Sequence, residues 1–329
     1  MPAEARAYLK SASFSDAEIA AVERGGVVSR IVPRKEDNDV FIVGVVRIAA
    51  PAEALVAAIQ RIETLRNRLP IVQIGRFSTP PRVEDLDGLT FETKDLEALR
   101  TCRVGDCDLK VGSRAMEAAR RVDWKASDAY AQASRVLKDL IVAQVTSYVR
   151  DGSSAMAVYN DNANPESTAN EVAKIVESEP TPLGFGPDLL RQVLDFPKTA
   201  LPNVESFVYW SKEKTRKTVV SVAHVSIETV PRETGAVCVV AMKHLYDSHY
   251  FLANMEFLTL LPDGADKPGF TLVHVLRARV DPPRSFRGML LGKMREGMRE
   301  AIATDLQTTR SRIEGESRRS QTETAAAHP

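Results

Sequence analysis

The 329-residue chain has no surplus of charge: 44 Lys and Arg balance 44 Asp and Glu. General nucleic-acid binding draws its affinity from neutralised phosphates and needs a basic excess, so nucleic acid is not an expected partner. No run of about 18 apolar residues occurs, so no transmembrane helix is expected. Seventeen glycines and 18 prolines are too few for a fibrous or low-complexity chain. Several chemical signatures are missing as well: the Walker-type phosphate loop, the His-Glu-x-x-His zinc helix and the Gly-x-Ser-x-Gly nucleophile elbow. Gly184-Phe-Gly186 has two glycines but follows no strand, so it reads as a turn. No cofactor is implied, and no internal repeat is visible. Met1-Pro-Ala-Glu-Ala-Arg6 contains no apolar leader. Two locations are therefore expected: the cytoplasm, or an export compartment reached with a leader since removed.

Cysteine is scarce: Cys102, Cys107 and Cys238. Cys238 sits in the apolar run 237–241, where a buried inert thiol is expected. Cys102-Arg-Val-Gly-Asp-Cys107 has three readings: a disulfide across a Gly-Asp turn if the protein is exported, half of a zinc site, or two separate core thiols.

What is present is ordinary globular composition, 44% hydrophobic and 27% charged, with length for one large domain or two small ones. Ser15 with Glu18 forms a capping-box pattern that opens a short helix through Arg24, stopped by Gly25-Gly26. Val27–Val32 and Val40–Ala49 predict an antiparallel hairpin around Lys35–Asp39. Pro51 starts an amphipathic helix whose Leu55, Ile59, Ile62 and Leu65 share a face. Short strands are expected at Ile71–Ile74, Leu89–Glu92 and Cys107–Val111, with one helical turn capped by Asp95. The prolines of Gly75–Pro81 make that stretch irregular. From 113 to 202 the strand signal vanishes. A long helix is predicted over Ser127–Arg150, with shorter ones at Ser153–Tyr159, Glu166–Glu177 and Pro187–Leu194. Five strands then follow at Phe207–Lys212, Val219–Thr229, Val237–Leu245, Tyr250–Leu261 and Phe270–Val280. They read as an antiparallel meander. A long helix over Arg284–Ile313 closes the pattern. Its stripe holds Phe286, Leu290, Met294, Met298, Ile302, Leu306, Thr309 and Ile313. Residues 314–329 read as a disordered tail.

Each half of the strand set has an apolar face and too little helix to cover it. One curved sheet around the last helix solves both problems. Residues 1–26 then form an N-terminal helical segment, 27–313 the domain, and 113–202 a helical insertion. This order resembles the START-like helix-grip superfamily of StAR-related lipid-transfer and polyketide-cyclase proteins, over about 27–111 and 205–313. The resemblance implies an α+β fold in which an antiparallel sheet grips a C-terminal helix around an apolar cavity. Locally, Gly75-Arg-Phe-Ser-x-Pro-Pro81 with Glu84-Asp-Leu86, Cys102–Lys110, Tyr209-Trp-Ser-Lys-Glu-Lys214, Ser248-His-Tyr-Phe251 and Arg277-Ala-Arg-Val-Asp281 are similar to motifs of a group of uncharacterised, often exported bacterial proteins. That similarity implies a periplasmic or secreted location and a Cys102–Cys107 disulfide.

Candidate ligand contacts follow from this frame. His224, His244 and His274 lie among apolar strand residues, where they could orient a ligand or act as acid and base. Alternatively they are satisfied histidines of a half-buried sheet. His244-x-x-Asp247-x-His249 fits no common metal spacing. Met289, Met294 and Met298 on the last helix, with Met242, Met255 and Phe257 on strands, suit an irregular apolar ligand, or simply fill the core. Tyr209 and Trp210 point to opposite faces, so Trp210 is a candidate wall residue. Lys212, Glu213 and Lys214 read as solvated charges. Arg284, Arg287, Lys293, Arg295 and Arg299 make the start of the last helix locally basic, which could attract anionic lipid head groups at a cavity mouth or be a solvated face. Arg277 and Arg279 could clamp a carboxylate or phosphate or pair with Asp and Glu at the sheet rim. The leading expectation is non-covalent binding or transport of a hydrophobic small molecule, a lipid. The alternatives are a cyclase, aromatase or hydrolase using cavity histidines, and a protein-interaction module presenting helix 127–150. The insertion is expected to act as a lid.

Overall fold

The structure, a computed structural model, describes residues 1–67, 70–178, 181–233, 235–264, 269–281 and 287–326. The N-terminal helices are α1 (Ala3–Ser11) and α2 (Asp16–Glu23). Strands β1 (Val28–Ile31) and β2 (Asp39–Ile48) form the expected hairpin, followed by α3 (Ala52–Gln60) and β3 (Ile71–Arg76). Then come α4 (Thr93–Thr101), α5 (Ser113–Ala119), α6 (Ala129–Asp151), the small strands β4 (Val158–Tyr159) and β5 (Glu166–Ser167), α7 (Thr168–Glu177) and α8 (Pro187–Asp195). The meander is β6 (Val204–Lys214), β7 (Thr218–Val230), β8 (Val237–Asp247), β9 (Phe251–Pro262) and β10 (Phe270–Val280). Helix α9 (Arg287–Ala326) ends the described chain.

One eight-stranded sheet dominates, in the order β1-β2-β10-β9-β8-β7-β6-β3. Every pairing is antiparallel. The chain returns to pair β10 with β2, Val273 opposite Val45 and Phe270 opposite Ile48, so the N-terminal hairpin and the meander share one sheet. This is the α+β arrangement expected: an antiparallel sheet with a long C-terminal helix across one face.

Strand alternation divides the core between the two faces. On one face, Phe41, Val43, Val222, Val239, Met255, Phe257 and Val275 pack with α1, α2, α6, α7 and α8. On the other, Ile42, Val240, Leu258, Leu260, Leu272 and Leu276 meet α3 and the Leu291, Ile302, Leu306 and Ile313 stripe of α9. A third cluster around Leu99, Leu109, Met116, Ala133 and Leu137 holds α4, α5 and α6 together. Ser15 caps α2 as expected: its hydroxyl accepts from the Glu18 N–H, and the Glu18 carboxylate accepts from the Ser15 N–H at 2.8 Å.

Several local expectations need correction. Leu89–Glu92 is not a strand, because Thr90 is tied to the Gln73 side chain (N–H to Oε1 3.0 Å) rather than to a ladder. Cys107–Val111 is not one either: Cys107 N–H donates to Asp161 O and Lys110 N–H to Ser248 O, two separate partners. The turn at Asp95 is the nine-residue α4. Ser153–Tyr159 is a short 3-10 turn leading into β4. Within the helical segment expected over 1–26, the sequence pattern does not mark the bounds of α1, although its Ala5, Tyr8 and Leu9 are buried on one face. Helix α9 continues through Ala326 where a disordered tail was expected. Arg312 pairs with Glu316 one turn on, and the Glu314 carboxylate accepts from Ala49 N–H at 2.9 Å, which ties the extension to the sheet. Arg284 and Phe286 lie outside the described residues.

Candidate functional site

A cavity of about 680 Å³ lies between the sheet and α9. Its origin is local. Helix α9 approaches the sheet over β1 and β2. There Gly44 makes room for it: a Cβ at this position would stand 2.5 Å from Ile302 Cγ2 and 2.7 Å from Leu306 Cδ1. Anchored at that side, α9 spans β6 to β10 at a distance and leaves the space between them open. The wall is mostly apolar, with Leu55, Ile59 and Ile74 beside β3, Leu258, Leu272 and Leu276 on the sheet, and Met294, Met298, Ile302 and Leu306 on the helix.

Of the residues named from sequence, Met242, His244, His274, Met294 and Met298 line this cavity. Met289 does not, because it is exposed on α9. Nor do Trp210, His224, Met255 and Phe257, and the reason is strand parity. Tyr209 faces the cavity, so its neighbour Trp210 faces the other layer and donates from Nε1 to Asp85 O at 2.8 Å. Phe257 meets Phe185 edge-on in that layer, with ring centroids 5.1 Å apart. His224 sits there as well, bonded through Nδ1 to the Tyr148 hydroxyl at 2.8 Å and 4.3 Å from the Phe196 ring. Burial, helped by the neighbouring Lys243 charge, pushes its pKa down to about 3. It is a neutral core histidine.

The helical stretch 113–202 packs on the far face, and none of its described residues lines the cavity. The lid expectation therefore fails. Helix α6 buries Ala133, Leu137, Ile141, Val145 and Tyr148 and is a structural layer rather than a free interaction surface. The Cys102–Cys107 disulfide is formed in this layer. Arg277 and Arg279 face the same way and are already paired, Arg279 with Glu171 at 2.9 Å and Glu36 at 2.7 Å, and Arg277 with Asp39 at 3.6 Å.

The cavity's sheet wall also carries a polar row that sequence reasoning largely missed. It runs from Glu213 (β6) through Ser221 (β7) and His244 (β8) to Asn254 and Glu256 (β9) and His274 (β10). Asp247 backs it. His244 Nδ1 bonds Asp247 Oδ1 at 2.8 Å, and the Ser221 hydroxyl donates to the same oxygen at 2.6 Å. Asn254 lies 3.5 Å from His244 Nε2, and His274 Nε2 meets Glu256 Oε2 at 2.8 Å. Burial alone would lower the His244 pKa. The adjacent Asp247 carboxylate, with Glu256 and Glu213, outweighs it and raises the imidazole to about 9, which favours its protonated form at neutral pH. Burial, then the Glu256 charge, lifts Glu213 to about 7. Glu213 is therefore not a solvated charge, as its sequence context suggested. Its signal was parity with Tyr209, four residues earlier on the same strand face.

The row is not a nucleophile triad. Ser221 bonds the aspartate rather than the histidine, so no imidazole base stands against its hydroxyl as a triad requires. Nor do His244, Asp247 and His249 converge on a metal: His249 Nε2 turns to Asp95 at 3.2 Å.

No protein-family model matches the chain. No curated protein matches it. Among solved structures, the chain is similar to a STAR-related lipid transfer protein (fragment 25–204) from Xanthomonas axonopodis, with a TM-score of 0.40 and 8% identity over 88% of this chain and 93% of that one.

Proposed function

We propose that the protein binds and carries a hydrophobic small molecule of lipid character between the sheet and α9. The observation that supports this reading is the cavity itself. Its volume of about 680 Å³ suits a single organic ligand, and its wall is mostly apolar, with a polar row on the sheet and charged groups at the rim. Apolar burial supplies the affinity, and the His244 row fixes orientation. Methionines 242, 294 and 298 adapt the wall to an irregular chain. The Cys102–Cys107 disulfide favours an oxidising compartment, periplasmic or extracellular. Native mass spectrometry of the purified protein, followed by solvent extraction, tests the reading. A bound apolar mass lost on denaturation is expected. Met298→Glu, which puts a charge on the wall, should abolish it. A clean apo mass, with no uptake of added fatty alcohol, would sink the proposal.

The polar row favours a second reading, an enzyme of cyclase or hydrolase type in the same cavity. His244→Ala and His274→Ala separate the two. A carrier keeps its ligand in both variants, whereas an enzyme keeps binding and loses turnover.

A further inference from the structure

The cavity has a direction. Lys214 pairs with Thr218 at one end of β6 and β7, and Phe251 with Val280 at the same end of β9 and β10. The start of α9 reaches that end too, since Arg295 donates to Asp37 O in the β1–β2 loop. The β6–β7 turn, the β8–β9 turn and the first turns of α9 therefore surround one mouth. Towards the opposite end Leu258, Leu272, Ile302 and Leu306 line the cavity with Leu55 and Ile59 of α3 and pack with them in one buried apolar cluster.

The mouth is cationic. Arg216 and Lys217 from the β6–β7 turn and Lys293 from α9 are exposed and border the cavity. Among the described residues, no carboxylate forms an ion pair with any of them, whereas Arg295 and Arg299 nearby are paired with Asp37 and Glu296. Just inside lies His244, whose Nδ1 is taken by Asp247. The lining carboxylates Glu256 and Asp305 lie deeper, on mid-strand β9 and further along α9, so an anion would be opposed there and favoured at the rim. Glu213 lies near the mouth, and an anion beside it favours its neutral form.

Resting on the reading that the cavity holds an apolar ligand, we propose that this ligand is an amphiphile with an anionic head group. Its tail lies against the apolar end and its carboxylate or phosphate oxygens lie between Arg216, Lys217 and Lys293. Exposed charges rimming an apolar pocket cost little to keep in water and gain a counter-charge only when such a head arrives.

Calorimetry below the micelle threshold tests this with dodecyl phosphate, laurate, dodecanol and dodecyltrimethylammonium. Tenfold or greater preference for the two anions over dodecanol is expected, shrinking as salt is added. In the triple variant Arg216→Gln, Lys217→Gln, Lys293→Gln the anion-to-dodecanol ratio should fall towards one. These positions are exposed, so the variant should fold. The ranking of dodecyl phosphate against laurate then tells a phosphate-ester lipid from a free fatty acid. Equal binding of anion and alcohol, preference for the ammonium, or an unchanged ratio in the triple variant would overturn the inference and leave the cavity reading standing. Failure of all four probes to bind would overturn both.

Discussion

Lys243 and His244 are neighbours on β8, both buried, and they point to opposite faces of one sheet. Lys243 enters the helical layer. Its ammonium donates to Ser153 Oγ at 3.3 Å and to Val193 O, and lies 5.0 Å from the Tyr148 ring. Among the described residues, no carboxylate bonds it. Burial pushes its pKa down to about 7, opposed only by the charge of Asp195. His244 enters the cavity, meets Asp247, and is held up at about 9. One face of the sheet is thus a filled core that disfavours a charge without a carboxylate partner, and the other is an open cavity that supplies one. The contrast shows that burial alone does not set a residue's role. What decides it is the partners that strand parity delivers.

The largest effect should come from removing equal volume on the two faces. Leu261 and Leu258 share β9 and differ in face: Leu261 is fully buried in the filled layer, while Leu258 borders the cavity. Leu261→Ala creates a new void and should cost about 3–5 kcal/mol. Leu258→Ala enlarges a space that already exists, so it should cost about 2 kcal/mol, the transfer part alone. Urea unfolding measures both. Equal losses would mean that the cavity is collapsed in solution.

The charged pair should differ in sign with pH. The folded pKa of Lys243 lies below its ordinary 10.5, so its penalty to the fold grows as pH falls from about 10.5 to about 7. Lys243→Met should therefore stabilise the protein most below pH 7 and have no pH-linked advantage above 10.5. The folded pKa of His244 lies above its ordinary 6.5, so its contribution is full below 6.5 and is lost as pH rises through 9. His244→Gln should therefore destabilise at low pH, on the order of 3 kcal/mol at about 1.4 kcal/mol per pH unit, and converge on the parent above 9. Melting curves across this range give both differences. Parallel curves for either variant would show that its group is not buried as described.

Much of the frame was legible, and the reason is chemical. The five meander strands are rich in β-branched residues with clear turns between them, so their bounds fall within a few residues of those expected. The α9 stripe showed through its period, and the capping box of α2 through its spacing. The helical layer was harder. Outside α4, residues 89–111 spend their backbone bonds on scattered partners, which leaves no period to read. The site was half legible. Met242, His244 and His274 were found because histidine and methionine stand out in apolar strands. Glu213, Ser221, Asn254 and Glu256 were missed because a polar residue in a strand ordinarily marks the solvent face, and here it marks a cavity. Phe257 and His224 were drawn to the cavity by residue type, although parity with their neighbours puts them in the filled layer.

The smallest effect sharpens the same contrast from the far side. The Cys102–Cys107 bridge closes a short loop around Gly105, whose φ of +86° suits a residue without a side chain. The loop also bonds across the layer, Gly105 N–H to Asn160 O at 2.8 Å and Cys107 N–H to Asp161 O at 3.2 Å. A closed loop of this length restricts the unfolded chain by about 2 kcal/mol, which reduction removes. The bridge lies in the helical layer and touches no described residue of the cavity wall. Reductant, or the Cys102→Ser, Cys107→Ser double variant, should therefore lower the urea midpoint and speed exchange of amides in α4 and α5. Affinity for a fatty alcohol should hold within twofold. If binding falls with the bridge, the two faces are coupled through the sheet, and the separation drawn between filled layer and cavity does not hold.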